Sequence, residues 1–168
     1  LINAAENAVV VSTINAAVEA RVLSSQKALR VLASTQLAGP AAAPIGIPKE
    51  KLVAKVHDAL YASKVVSYAQ GLDLMRTMSE KKDWALDLGA IAGIWRGGCI
   101  IRARFLNRIT EAYRRDSALG NLMFDPFFKD LLNRSQQPWR EVVSLAVLNG
   151  IPVPAFSASL SYYDSLRC

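Results

Sequence analysis

The sequence is poor in the side chains that most often build catalytic or metal centres. It has one histidine, His57, and two cysteines, Cys99 and Cys168. A lone histidine cannot assemble a metal cluster. Two distant thiols without CxxC spacing argue against a zinc site and against a disulfide framework; such usage fits a reducing, intracellular compartment. Apolar runs are short. The richest, from Ala8 to Val18, is interrupted by Ser12, Thr13 and Asn15, well below the roughly 20 apolar residues of a membrane span. No signal-peptide pattern is present. Nor does a glycine-rich loop follow a strand-like segment, so no dinucleotide site is expected within these residues.

What the chain does have is apolar surface. Its 168 residues are 52% hydrophobic, enough for one good-sized core, and a single domain over 1–168 is the expectation. The mean hydropathy of +0.19 is high for a free-standing domain with ordinary solvent-facing helices. With the membrane excluded, the expectation is a domain of a larger assembly whose partner surface adds to the apolar count. The net charge of +6 permits an anionic partner. Basic residues are interleaved with acidic ones, however, as in Glu80-Lys81-Lys82-Asp83, which favours a solvated mixed surface over nucleic-acid binding. A nucleic-acid-binding bundle would instead show steeply salt-dependent affinity.

Helical periodicity runs almost throughout, and the fold class is all-α. The pattern predicts helices over about Asn15 to Thr35, Lys49 to Glu80, Leu88 to Arg96, Gly98 to Arg115, Pro126 to Arg134, Pro138 to Asn149 and Pro154 to Leu166. Pro126, Pro138 and Pro154 each fall at a predicted first turn, and Asn149-Gly150 supplies a stop. The segment LAGPAAAPIGIP, with Pro40, Pro44 and Pro48, reads as a linker. On the Lys49 to Glu80 helix, Leu52, Val56, Ala59, Val66 and Leu74 share one face. Tyr61, Val65, Tyr68, Leu72 and Met75 share the other. A helix apolar on two sides is buried on two sides: it is either the central helix of this domain or sandwiched against another subunit. Ser63, Ser67 and Gln70 on it then require hydrogen-bond partners.

Two arginines break the helical pattern. Arg21 falls in the stripe Ile14, Val18, Val22, Ser25, Leu29 and Leu32. Arg102 falls with Phe105, Leu106, Ile109 and Tyr113, whereas Arg104, Arg108 and Arg115 cluster with Glu111 on a polar face. A guanidinium among apolar side chains stays charged and needs a carboxylate, carbonyls or an anionic ligand. A buried ion pair and a phosphate or carboxylate ligand both satisfy that need. His57, beside Tyr61 and Lys64, reads as structural rather than catalytic. Cys99, near Trp95, Ile100 and Ile101, reads as a small core residue, although a place at a helix N-terminus would lower its pKa.

Three long segments carry a resemblance: ALYASKVVSYAQGLDLMR (59–76), LGAIAGIWRGGCIIRARFL (88–106) and NGIPVPAFSASLSYYDSLR (149–167). With LNRITEAYRR, NLMFDPFFK and VLASTQLAGP they resemble, in order and over nearly the whole chain, the helical domain of the 6-phosphogluconate dehydrogenases. The resemblance implies NADP-dependent oxidation and decarboxylation of 6-phosphogluconate to ribulose 5-phosphate, in the pentose phosphate pathway of the cytoplasm or plastid. It also implies a homodimer built by the helical domain. The family's coenzyme-binding Rossmann domain, catalytic lysine and glutamate, GTGKWT stretch and C-terminal tail then lie outside these residues, leaving no catalytic, cofactor or metal residue here. One substrate residue is implied. The family's motif like EAVFARxLSS carries a phosphate-binding arginine, and AAVEARVLSS places Arg21 there. Ala16 stands where glutamate is usual, and Glu19 where phenylalanine is. No such role attaches to Arg102, which is expected in a buried ion pair.

Overall fold

The structure is a computed structural model that describes residues 1–41 and 45–168. The described residues hold α1 (Ile2–Glu6), α2 (Ser12–Ser25), α3 (Lys27–Gln36), α4 (Lys49–Lys82) and α5 (Leu88–Ile94). After α6 (Leu106–Arg115) and a 3-10 turn at Leu122–Phe124 come α7 (Pro126–Leu148) and α8 (Pro154–Arg167). No strand occurs among the described residues, in keeping with the all-α reading. Residues 42–44 of the predicted linker lie outside the described ones; those on either side, 37–41 and 45–48, are not helical. No described helix is long and apolar enough to cross a membrane.

Three predicted boundaries need correction. The single helix over Asn15 to Thr35 is two, α2 and α3, broken at Gln26 with φ −83 and ψ 58. No glycine or proline marks the break. Ser24 Oγ donates to Arg21 O and Ser25 Oγ to Val22 O, both at 2.7 Å, and such local side-chain bonds compete with the helical ladder. Conversely, Pro138 does not start a new helix: α7 runs through it. Proline deletes one i→i−4 bond, but the burial of Leu131, Leu132, Trp139 and Val142 on α7 overrides that local cost. The helix expected from Gly98 begins only at Leu106, after turns in which Gly98 adopts φ +68. That conformation belongs to glycine and ends regular helix.

Contacts divide the chain into two compact units. One holds 1–11 and 68–133, the other 12–67 and 134–168, so α4 and α7 contribute to both. The middle of α4 is buried on two sides, as its pattern demanded: Val65, Val66 and Leu72 are all at or below 1% exposure. Its covering therefore comes from this chain. Among its polar residues, the buried Ser63 Oγ has no hydrogen-bond partner among the described residues.

In the first unit, Leu88, Ala92, Leu106, Ile109, Leu122 and Phe128 form the core. Edge-to-face rings extend it, Tyr68 on Phe105 at 5.1 Å and Phe105 on Phe128 at 6.1 Å. Asp87 caps α5 by accepting from Ala90 N at 2.9 Å. Helices α5 and α6 meet closely at Gly89, whose carbonyl accepts from Thr110 Oγ1 at 3.0 Å. A Cβ at Gly89 would stand 3.3 Å from Tyr113 Cβ, which explains a glycine at that contact. Burial pushes the Tyr113 phenol up to about 12, with Asp73 adding to the rise and Arg76 opposing it. Asp125, almost fully buried before α7, accepts from Phe127 N at 3.1 Å and is paired with Arg115.

In the second unit, α2 packs on α8. Trp139 of α7 is fully buried and donates through Nε1 to Phe156 O at 3.2 Å. At the end of α7, Gly150 (φ +64) donates to Val147 O at 3.1 Å and Ile151 N to Ala146 O at 2.8 Å. This satisfies the terminal carbonyls as the Asn149-Gly150 signal predicts. Two ion pairs brace α7, Lys55 with Glu141 and a two-pronged contact of Arg140 with Asp164.

The Arg140 guanidinium holds the Asp164 carboxyl below its usual range against a smaller opposing effect of burial, and Arg167 adds to the lowering. A depressed folded-state pKa contributes stability above the unfolded value and loses it as pH falls through the folded one. Asp164→Asn is therefore expected to lower the thermal midpoint at neutral pH. The difference from the parent protein should shrink below about pH 4. Thermal unfolding of both proteins across that range is the check.

Candidate functional site

Arg21 lies on α2, four residues before its C-terminus, and is exposed. The stripe in which the sequence placed it is not a core of this chain. Val18, Val22, Leu29 and Leu32 are 43–56% exposed, and α3 has no buried residue. The stripe is moreover split between α2 and α3 by the break at Gln26, and apolar periodicity could not say what covers either part. No ion pair of Arg21 is found among the described residues. Of the two ways to satisfy this guanidinium, the intrachain ion pair is not found among the described residues.

Beside Arg21, α2 turns a different face to a cleft of about 670 Å³ within the second unit. Ala16, Ala20, Leu23 and Ser24 line it from α2, opposite Val147 and Ile151. Arg30, from α3, stands on the same wall and donates through Nη1 to Ser24 O at 3.2 Å. Glu19 is engaged within its own helix, accepting from Asn15 Nδ2 at 2.7 Å.

The other candidates fall elsewhere. Arg102 is exposed, lies in the turns before α6, and has no ion pair among the described residues. The expected buried pair is therefore corrected: the helix starts too late to carry Arg102 into the core with Phe105 and Leu106. Within the polar cluster, Arg108 pairs with Glu111 at 2.8 Å, while Arg115 turns to Asp125. His57 is largely exposed, with Nδ1 3.2 Å from Asp58 Oδ1 and its ring 6.2 Å from Tyr61. Cys99 is half-buried in a turn, not at a helix N-terminus, and its neighbour Ile100 is 100% exposed. Burial, and secondarily Cys99, push the Tyr68 phenol up. That hydroxyl donates to Ile101 O and so ties the same turn to α4. Among the described residues no group of His, Cys, Asp or Glu side chains converges as a metal site.

A second cleft, of about 500 Å³, lies in the first unit between the ends of α4 and α6, with Arg76, Ser79, Tyr113 and Arg114 on its walls. Arg76 is occupied there by Asp73 at 2.6 Å and Glu80 at 2.8 Å. Sequence periodicity gave no sign of either cleft, because each is assembled by segments distant in the chain.

The family model of the 6-phosphogluconate dehydrogenase C-terminal domain matches residues 1–168. The chain belongs to this family. It is 49% identical over 164 residues to the decarboxylating 6-phosphogluconate dehydrogenase of Synechococcus elongatus, covering 98% of this chain and 35% of that protein. With the Escherichia coli enzyme of the same name, identity is 51% over 156 residues, covering 93% and 33%. Among solved structures, Plasmodium falciparum 6-phosphogluconate dehydrogenase superposes with a TM-score of 0.92 at 38% identity. The match covers 99% of this chain and 36% of that one. That enzyme has been seen without ligand, with its cofactor NADP+ and with its substrate 6-phosphogluconate. The chain thus spans about a third of the length of its relatives. The segment AAVEARVLSS forms the end of α2, where Arg21 stands exposed and without an ion pair among the described residues.

Proposed function

We propose that these residues form the substrate-binding and dimerisation portion of an NADP-dependent enzyme that oxidises and decarboxylates 6-phosphogluconate. The products are ribulose 5-phosphate and CO2, and the setting is the pentose phosphate pathway in the cytoplasm. What carries the reading is identity of about half across nearly the entire chain to decarboxylating 6-phosphogluconate dehydrogenases. Arg21 is the residue assigned to the substrate, its planar fork suited to two phosphate oxygens at once.

The residues of this chain do not fit a dinucleotide. No strand followed by a glycine-rich turn occurs among the described residues, and that is the cradle such a cofactor takes. NADP is accordingly assigned to other residues of the full-length protein, and hydride transfer with it. In the test, full-length protein forms NADPH and releases CO2 from 6-phosphogluconate, and does so far less effectively from gluconate, which lacks the phosphate. The 168-residue chain alone forms no NADPH. A folded full-length protein without this activity would overturn the reading.

The dimer part of the proposal is supported by the uncovered apolar side chains Val22, Leu29 and Leu32 of α2 and α3 and Val53 and Leu60 of α4. Large exposed apolar surface of this kind is normally covered in solution. Sedimentation equilibrium is expected to give twice the chain mass, and Leu32→Glu to weaken association. A monomer at tens of micromolar would contradict it.

A further inference from the structure

We propose that Arg30 is a positioning residue for Arg21, an inference that rests on the assignment of Arg21 to the substrate phosphate. The last carbonyls of a helix have no partner within it, and at the end of α2 three of them find one. Val22 O accepts from Ser25 Oγ at 2.7 Å, and Leu23 O from Gln26 N at 3.1 Å. Ser24 O accepts from Arg30 Nη1 at 3.2 Å, across the break at Gln26. Ser24 in turn closes the turn that carries Arg21, its Oγ donating to Arg21 O at 2.7 Å. A two-link chain therefore runs from the Arg30 guanidinium, through Ser24, to the backbone of Arg21.

The chemistry suits a latch. A cation at a helix C-terminus is favoured by the macrodipole as well as by the bond. Arg30 has no ion pair among the described residues to draw it away. The junction it spans needs one, because α3 buries no side chain of its own and Gln26 interrupts the helical ladder. Without Arg30, the last turn of α2 keeps only the serine bonds and the Gln26 N bond to Leu23 O, and Arg21 is held less firmly where a phosphate must meet it. A small misplacement of a binding group weakens a bidentate contact out of proportion to the bond lost.

The test uses the full-length enzyme, three single variants and the double variant of Arg21→Ala with Arg30→Met. Arg30→Met keeps the apolar stem on the cleft wall and removes the donor; Arg30→Lys restores a donor and a charge; the third is Arg21→Ala. Arg30→Met is expected to raise KM for 6-phosphogluconate about threefold to tenfold. KM for NADP and the thermal midpoint stay near the parent values, and Arg30→Lys recovers most of the loss. Amide exchange at Ser25 to Lys27 quickens in Arg30→Met, a readout independent of activity. In the Arg21→Ala background, Arg30→Met changes KM by less than about twofold, since there is nothing left to position. An unchanged KM in Arg30→Met alongside a raised one in Arg21→Ala overturns the positioning role and leaves the phosphate assignment standing. The same fold-change with and without Arg21 also overturns it, because Arg30 would then act on substrate by itself. An unchanged KM in Arg21→Ala overturns both.

Discussion

Arg21→Ala in the full-length enzyme is expected to raise KM for 6-phosphogluconate by about tenfold to a hundredfold. A charge-assisted contact to phosphate contributes on the order of 1.5–3 kcal/mol, and each 1.4 kcal/mol is a factor of ten. KM for NADP should not move, since the cofactor is assigned to other residues. Stability should change by no more than about 0.5 kcal/mol, because Arg21 is exposed and has no ion pair among the described residues. Arg21→Lys should lie between the two, keeping a point charge but losing the planar fork. Steady-state kinetics and thermal unfolding on the same preparations separate this pattern from its opposite. Had Arg21 been half of a buried ion pair, its removal would strand a carboxylate and cost several kcal/mol of stability. A destabilised variant whose folded fraction keeps the parent KM would contradict the phosphate assignment.

Trp139→Ala is expected to be the most damaging single change to the fold. Trp139 is fully buried on α7 and its indole N–H is bonded to Phe156 O at 3.2 Å, linking α7 to the start of α8. Truncation removes the largest fully buried side chain and leaves a cavity, at a cost of about 3–5 kcal/mol. For a chain of this size that corresponds to a fall of roughly 6–20 °C in Tm. Trp139→Phe should cost much less. It keeps most of the volume and loses only the indole bond to Phe156 O. Chemical denaturation of the two variants decides it; equal losses would mean that the hydrogen bond, and not the packing, holds α8 to α7.

Much of this fold is legible in the sequence where burial and punctuation agree. The long helix was expected over Lys49 to Glu80 and spans Lys49–Lys82, since its two apolar faces and its flanking Pro48 point the same way. Pro154 opens α8, and Asn149-Gly150 closes α7. Where local and tertiary forces compete, the sequence misleads. Pro138 is a break by propensity alone and is absorbed by a helix with a buried face. Gln26 carries no breaker, and the serine hydroxyls that compete with the ladder there are seen only in the folded backbone.

The functional residues divide along the same line. Arg21 could be found, because a cation in an apolar stripe is conspicuous and because its surrounding motif resembles the family's. That no carboxylate meets it among the described residues, and that the stripe around it lies open, are properties of the folded chain. Arg30 gives no signal in sequence. It looks like any solvated arginine on a polar helix face until its bond across the α2–α3 break is seen. Arg102 shows the opposite error, a stripe position on a helix that starts four residues after it.

Whether Arg21 meets the substrate phosphate is decided by a structure of the full-length enzyme with bound 6-phosphogluconate. The Arg21 guanidinium is expected within about 2.7–2.9 Å of phosphate oxygens, the range of charge-assisted bonds, with Arg30 still on Ser24 O. A phosphate bound entirely by other residues, with Arg21 turned to solvent, would contradict it.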